Sequence, residues 1–169
     1  MTVAISLLKS PNRFELFLEK AAELGVTAII PMITARTISL PSREKIEGKL
    51  NRWNTILLSA ARQSKRLYLP QLGTPLQFSK VLELGGYDFR LIPYEGAREA
   101  PEVRCAGKKT LFLIGGEGGF TSTEVQEAKQ AGCREISFGR TILRAETAGV
   151  FAVAYVRTQL LEEDGSMWF

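Results

Sequence analysis

The stretch LFLIGGEGGF, residues 111–120, runs a continuous apolar segment into four glycines wrapped round one glutamate. An apolar run of this length reads as a strand buried on both faces of a parallel sheet. Glycine costs about 0.5–1 kcal/mol relative to alanine inside regular structure. Four of them at a strand end therefore point to a turn with positive φ or to a ligand lying against the main chain. After the glycines, Thr121 or Ser122 with Glu124 forms a helix-capping pattern ahead of STEVQEAKQAG, and Gly132 ends that helix before the strand REISF.

The same alternation repeats on both sides. VAISLL (3–8) and AIIPMIT (28–34) read as strands. Between them Phe14, Phe17, Leu18, Ala21 and Leu24 recur at helical spacing, with Pro11 suited to the first turn and Gly25 to the cap. Past a loop with Pro41, residues 43–65 set Ile46, Leu50, Trp53, Leu57 and Ala60 or Ala61 on one stripe of a helix of about six turns. Pro70 and Pro75 punctuate a connecting segment; a short helix near 77–84 leads to a strand at FRLIPYEG, and ETAGVFAVAYVRTQLL reads as an apolar, largely buried closing helix. The final EEDGSMWF reads as a frayed tail. Alternating strands and helices predict an α/β sandwich on a parallel sheet, with ligands beyond the carboxyl ends of its strands.

With 169 residues, 45% of them hydrophobic, the chain has the length and apolar content of one domain with a full core. Cys105 and Cys133 lack metal-site spacing, which predicts neither a disulfide framework nor a zinc site. No apolar run reaches the roughly 18–20 residues that cross a bilayer, so the expectation is a soluble, cytoplasmic protein. The absence of histidine excludes the usual general base and the commonest transition-metal ligand; chemistry falls to carboxylates, Arg, Lys, backbone or a cofactor. Net charge is +4, yet residues 36–66 hold eight Lys and Arg against two Glu, a local surplus that fits either a polyanion partner or a solvated helix face.

The glycine loop does not fit the common nucleotide motifs. A Walker A loop needs Lys-Ser/Thr after its last glycine, whereas Gly119 is followed by Phe120-Thr121. The dinucleotide fingerprint fails at Thr121, where its third glycine belongs. Glu117 suits a cationic or hydroxyl-bearing ligand, and a tight turn with no ligand stays open as well. A second glycine-bearing strand end, SFGRTILRAETAG (137–149), is expected beside the first. Arg144 and Glu146, at the entry to so apolar a helix, read as paired or functional charges.

IGGEGGFTSTEVQEAKQAG and ISFGRTILRAETAGVFAVAYV together resemble the SPOUT-class 16S ribosomal RNA uridine-N3 methyltransferases, the ribosomal RNA small subunit methyltransferase E family, whose hallmarks are IGPEGG and LGxRILRxETA loops. SLLKSPNRFELFLEKAAELGVTAIIPMITART and AARQSKRLYLP match further family segments in order, so the likeness covers essentially the whole chain. Gly116 stands in place of the family's proline, and Thr141 where an arginine is common. The family usually carries an N-terminal PUA-like barrel, and the likeness begins at the methyltransferase domain; the expectation is one SPOUT-type domain over residues 1–169 without that barrel.

The resemblance implies a C-terminal deep trefoil knot that holds S-adenosylmethionine, a homodimer built on the knot region, and small-subunit ribosomal RNA as partner, without metal. It implies cofactor binding at Leu91, Ile92 and Pro93, at Gly115, Gly116, Glu117, Gly118 and Gly119, and at Phe138, Gly139, Ile142 and Leu143. Arg144 is then the expected catalytic side chain, Glu146 its orienting partner or a proton acceptor, and Arg36, Arg62, Lys65 and Arg66 an RNA-binding track. A non-catalytic RNA-binding module, or an enzyme acting on a ribose 2'-hydroxyl or another base, are the rival expectations.

Overall fold

A computed structural model describes residues 1–38, 42–94, 97 and 103–163. Pro41 and the tail from residue 164 onward lie outside the described residues. The chain runs β1 (Thr2–Ser6), α1 (Pro11–Leu24), β2 (Ala28–Ile33), α2 (Arg43–Gln63), β3 (Gln71–Leu72), β4 (Leu76–Gln77), α3 (Phe78–Leu82), β5 (Phe89–Pro93), β6 (Thr110–Ile114), α4 (Ser122–Gln130), β7 (Arg134–Ile136) and α5 (Ala145–Glu163). The predicted α/β class is correct. The connecting segment marked by Pro70 and Pro75 holds two additional two-residue strands, β3 and β4, too short to leave a period-2 pattern.

The strands form one sheet in the order β3-β2-β1-β6-β5-β7, with β4 also paired to β2, and all of its pairings are parallel. Every residue of β1 and β6 is buried, which explains why TLFLI reads as an unbroken apolar run. Alternation sorts the side chains into two layers. Val3, Ile5, Phe112, Ile114 and Leu91 pack with α1, α2 and α5, while Ala4, Leu111, Leu113 and Ile92 pack with α3 and α4. From β1 the chain departs through α1 toward β2; from β6 it departs through α4 toward β7, on the other side. The carboxyl ends of β1 and β6 therefore mark a topological switch point, the place where open parallel sheets hold ligands.

Local sequence sets the helix ends as expected. Gly25 adopts φ +107° and its N–H bonds Ala21 and Ala22 carbonyls, closing α1. Thr121 and Glu124 form a complete capping box at α4.

Helix α5 departs from expectation. It lies against α1 with both helices starting at the carboxyl edge: Arg13 meets Glu146, a Cβ added at Gly149 would come within 2.6 Å of Phe17, and Arg157 Nη1 donates to Leu24 O at 3.0 Å. Ala152, Val153 and Val156 are buried, but Phe151 and Leu160 are each 43% exposed, so the helix is buried on one side only. An all-round apolar sequence concealed which side that is.

The Gly149 contact generates a stability test. Phe17 and Ile5 are both wholly buried and leave no direction for a new side chain to move into. Gly149→Val is expected to cost about 1–3 kcal/mol. Gly48→Ala, in α2 with nothing near its added Cβ, is expected to gain about 0.5–1 kcal/mol. Urea unfolding of the two variants measures both, and equal effects would show that the α1–α5 seam is loosely packed.

Candidate functional site

The glycine turn is built by its own contacts. Gly119 N–H donates to Gly116 O at 2.9 Å, and Gly119 sits at φ +64°. A Cβ on Gly115 would stand 3.0–3.2 Å from the backbone of Gly119 and Phe120; one on Gly116 would stand 3.1 Å from Ser6 Oγ, and one on Gly118 3.0 Å from Arg36 Cδ. Gly115 is thus held tightly against main chain, while Gly116 and Gly118 pack closely on the side chains of Ser6 and Arg36. Room remains at Gly119 and at Gly139 (φ +105°), where an added Cβ would meet nothing within 4 Å. Gly119 and Gly139 combine that open space with a positive φ.

Polar side chains tie this turn to the ends of β1 and β2. Ser6, wholly buried, hydrogen-bonds Thr34 and Thr37 hydroxyls at 3.1 Å each. The buried Glu124 accepts from Ala35 N at 2.8 Å through Oε1 and from Thr121 N at 2.8 Å through Oε2, so one carboxylate caps α4 and clamps the loop after β2. Arg36 Nη1 donates to Gly118 O. Glu117, read as a ligand contact, is held by the protein: its Oε1 accepts from Lys9 N at 3.0 Å. The capping role of Glu124 was legible in the sequence; its second partner, 89 residues away, was not.

The remaining predicted cofactor residues lie on neighbouring strand ends. The two glycine-bearing ends are not adjacent as expected, because β5 lies between β6 and β7. That correction brings the set together: Gly115–Gly119 follow β6, Leu91, Ile92 and Pro93 end β5, and Phe138 and Gly139 follow β7. Leu91 and Ile92 are fully buried, on opposite faces of the sheet. Phe138 stacks on Phe151 of α5 at 4.8 Å and on Phe112 at 6.3 Å. Leu143 is half-buried, whereas Ile142 is 84% exposed. A cleft of about 510 Å³ opens beside Glu124, lined by Thr34, Ala35, Gln77, Phe78, Thr123 and Glu127 among others, and takes in none of the predicted cofactor residues.

Arg144 stands just before α5, its carbonyl accepting from Ala148 N at 2.8 Å and its side chain exposed, with no ion pair among the described residues. Glu146 is 6% exposed and does not pair with Arg144 as expected; its partner is Arg13 of α1, with Nε 3.7 Å from Oε1. Arg13 was missed because nothing in KSPNRFE distinguishes it from an ordinary first-turn surface cation.

The predicted RNA-binding residues do not form one track. Helices α1 and α2 run side by side in the same direction, Phe14 stacking on Trp53 at 4.5 Å and Gly25 abutting Arg66. Arg36 therefore lies at the carboxyl edge with the glycine turn, while Arg62, Lys65 and Arg66 lie at the opposite edge. Arg62 and Lys65 are exposed; Arg66 is partly buried, its Nε without an acceptor, and burial together with the neighbouring Arg157 lowers its pKa.

The sequence profile of a family described as RNA methyltransferase domain matches residues 1–157. The chain is 34% identical over 152 residues to a ribosomal RNA small subunit methyltransferase E from Mesomycoplasma hyopneumoniae, covering 89% of this chain and 66% of that one. A protein of the same description from Synechocystis is 34% identical over 167 residues, 95% and 54% of the two chains. Among solved structures, a ribosomal RNA small subunit methyltransferase E from Neisseria gonorrhoeae bound to S-adenosyl methionine superposes with TM-score 0.85 at 33% identity, covering 93% and 65% of the two chains. A methyltransferase from Legionella pneumophila in complex with bound cofactor SAM superposes with TM-score 0.88 at 28% identity, covering 93% and 65%. The chain spans less than two thirds of the length of these relatives.

Removing the clamp should loosen two loops at once. Glu124→Ala strips acceptors from Ala35 N–H and Thr121 N–H, and each orphaned donor costs about 1–3 kcal/mol if it stays buried. A loss of about 2 kcal/mol in urea unfolding is expected, with faster hydrogen exchange at Ala35 and Thr121; exchange that rises at Thr121 alone would show that the loop after β2 is held by other contacts.

Proposed function

This chain belongs to the RNA methyltransferase family, and from that premise we propose that it transfers a methyl group from S-adenosylmethionine to N3 of a uridine in the 16S ribosomal RNA of the small subunit. The observation that carries the reading is the row of three strand ends, β6, β5 and β7, with main chain left open at Gly119 and Gly139. A nucleoside cofactor fits such a row, since its base can pair with backbone N–H and C=O groups where no Cβ intervenes. Leu143, Ile142 and Phe138 supply the apolar cover. Solved relatives of this fold hold that cofactor.

S-adenosylmethionine supplies an electrophilic methyl group on a sulfonium. Everything else falls to the chain. The N3–H of uridine is a weak acid, roughly two pH units above neutral, so forming the reactive anion costs about 2.7 kcal/mol. The guanidinium of Arg144, exposed and without an ion pair among the described residues at the entry to α5, stabilises that anion by facing O2 or O4 as the N3 proton passes to solvent. A guanidinium stays charged at every relevant pH, which suits a chain without histidine.

The rest of the reading extends to assembly and substrate grip. The 137–144 segment and α5 pass through a trefoil knot, and two copies pair through the exposed side of α5, where Phe151 and Leu160 stand uncovered. Arg36 meets RNA at the cofactor edge, and Arg62 and Lys65 grip phosphates at the opposite edge. The protein works in the cytoplasm.

Calorimetry with S-adenosylmethionine is expected to show one site per chain, and Arg144→Ala to leave that binding intact while lowering methyl transfer to ribosomal RNA 100-fold or more. Mass spectrometry of the digested product distinguishes N3 from ribose or other base methylation. Absence of cofactor binding would sink the enzymatic reading, and undiminished transfer by the variant would remove Arg144 from it.

A further inference from the structure

The Arg13–Glu146 pair has a geometry that stability does not explain. Glu146 is 6% exposed, Arg13 Nε is 3.7 Å from Oε1, beyond hydrogen-bond range, and Oε2 is buried with no donor among the described residues. An ionised carboxylate buried this far costs several kcal/mol unless it is well paired. One turn along the same seam, α1 and α5 meet through Phe17 and Gly149, a wholly apolar contact. An apolar pair at 13 and 146 would serve packing at least as well. The charge pair stands instead at the carboxyl-edge end of the seam, where the site lies.

The vacant oxygen belongs to the first turn of α5, two residues from Arg144. Arg144 is exposed and has no carboxylate partner among the described residues. A guanidinium that works on a substrate needs its direction fixed, and a carboxylate oxygen without a donor is the group that fixes it. Oε1 faces Arg13, and Oε2 is the oxygen with no donor among the described residues.

We propose that Arg13 is a positioning residue: it holds Glu146 so that Oε2 receives the Arg144 guanidinium when the substrate base enters, aiming Arg144 at the base. This rests on the reading of Arg144 given above. The prediction is that Arg13 acts through Arg144 and on turnover rather than on binding.

The test uses the full chain, with Arg13→Gln, Arg13→Lys, Glu146→Gln and the double variants of Arg13→Gln with Glu146→Gln and with Arg144→Ala. Arg13→Gln is expected to lower kcat about tenfold, with KM for RNA and Kd for S-adenosylmethionine within twofold, and Arg13→Lys to recover most of the loss. It should have no further effect in the Glu146→Gln or Arg144→Ala background. In the cofactor-free protein, hydrogen exchange at residues 145–148 should speed up in Arg13→Gln. A loss that persists undiminished in the Arg144→Ala background, or that falls on KM or cofactor affinity, would overturn the positioning role. The unmodified protein is the control that separates the two levels: if it binds no S-adenosylmethionine or transfers no methyl group, the function itself fails and this role with it.

Discussion

The close approach of α5 to α1 and β1 governs the arrangement of this molecule. It is possible because residue 149 has no side chain: a Cβ there would collide with Phe17 and touch Ile5, both wholly buried. Helix packing distances follow the side chains at the contact, so a glycine facing a phenylalanine draws the helices together. After β7, at one edge of the sheet, the chain must return across the carboxyl ends of β5 and β6 to reach that contact. The seam therefore fixes where residues 137–144 pass, and with them Arg144 and the open main chain at Gly139.

Around this crossing the site is made mostly of backbone held by side chains, rather than of side chains held by backbone. Ser6, Thr34, Thr37, Arg36 and Glu124 spend their polar atoms on each other or on main-chain groups of the loops. Glu124 shows the logic most clearly, since its two oxygens satisfy N–H groups on loops from different strands. Such a frame places no reactive group of its own among these side chains, in keeping with a chain that has no histidine.

The sheet and its helices were legible because each long element carries its own period and its own terminator: Gly25 after α1, the Thr121–Glu124 box before α4, the unbroken apolar run of β6. Strands β3 and β4 were not, being two residues each. The neighbourhood of β6 and β7 was misjudged for a different reason. Nothing local in a parallel strand names its partner, and here β5 enters between them. The glycine turns stand out in the sequence itself, whereas Arg13 does not. Its significance comes from the burial of Glu146, 133 residues later, and long-range burial leaves no mark on a first-turn cation.

The basic segment illustrates how sequence proximity misleads about surface. Residues 36–66 carry a net charge of +6, yet helix direction divides it. With Trp53 level with Phe14, Lys49 and Lys45 stand earlier on α2, about 6 and 12 Å beyond that contact. Arg62, about 14 Å past Trp53 in the other direction, stands level with the last turn of α1, and Lys65 follows the end of α2. An RNA that touched both Lys45 and Arg62, about 26 Å apart along α2, would have to extend about seven or eight base pairs of duplex at 3.4 Å per step. Counterion release rewards each phosphate neutralised wherever it lies, so two clusters this far apart would favour an extended polyanion over a lone nucleotide. Arg66 stands apart from both: partly buried against Gly25 and repelled by Arg157, it contributes to the junction of α1 and α2 before it contributes to any RNA.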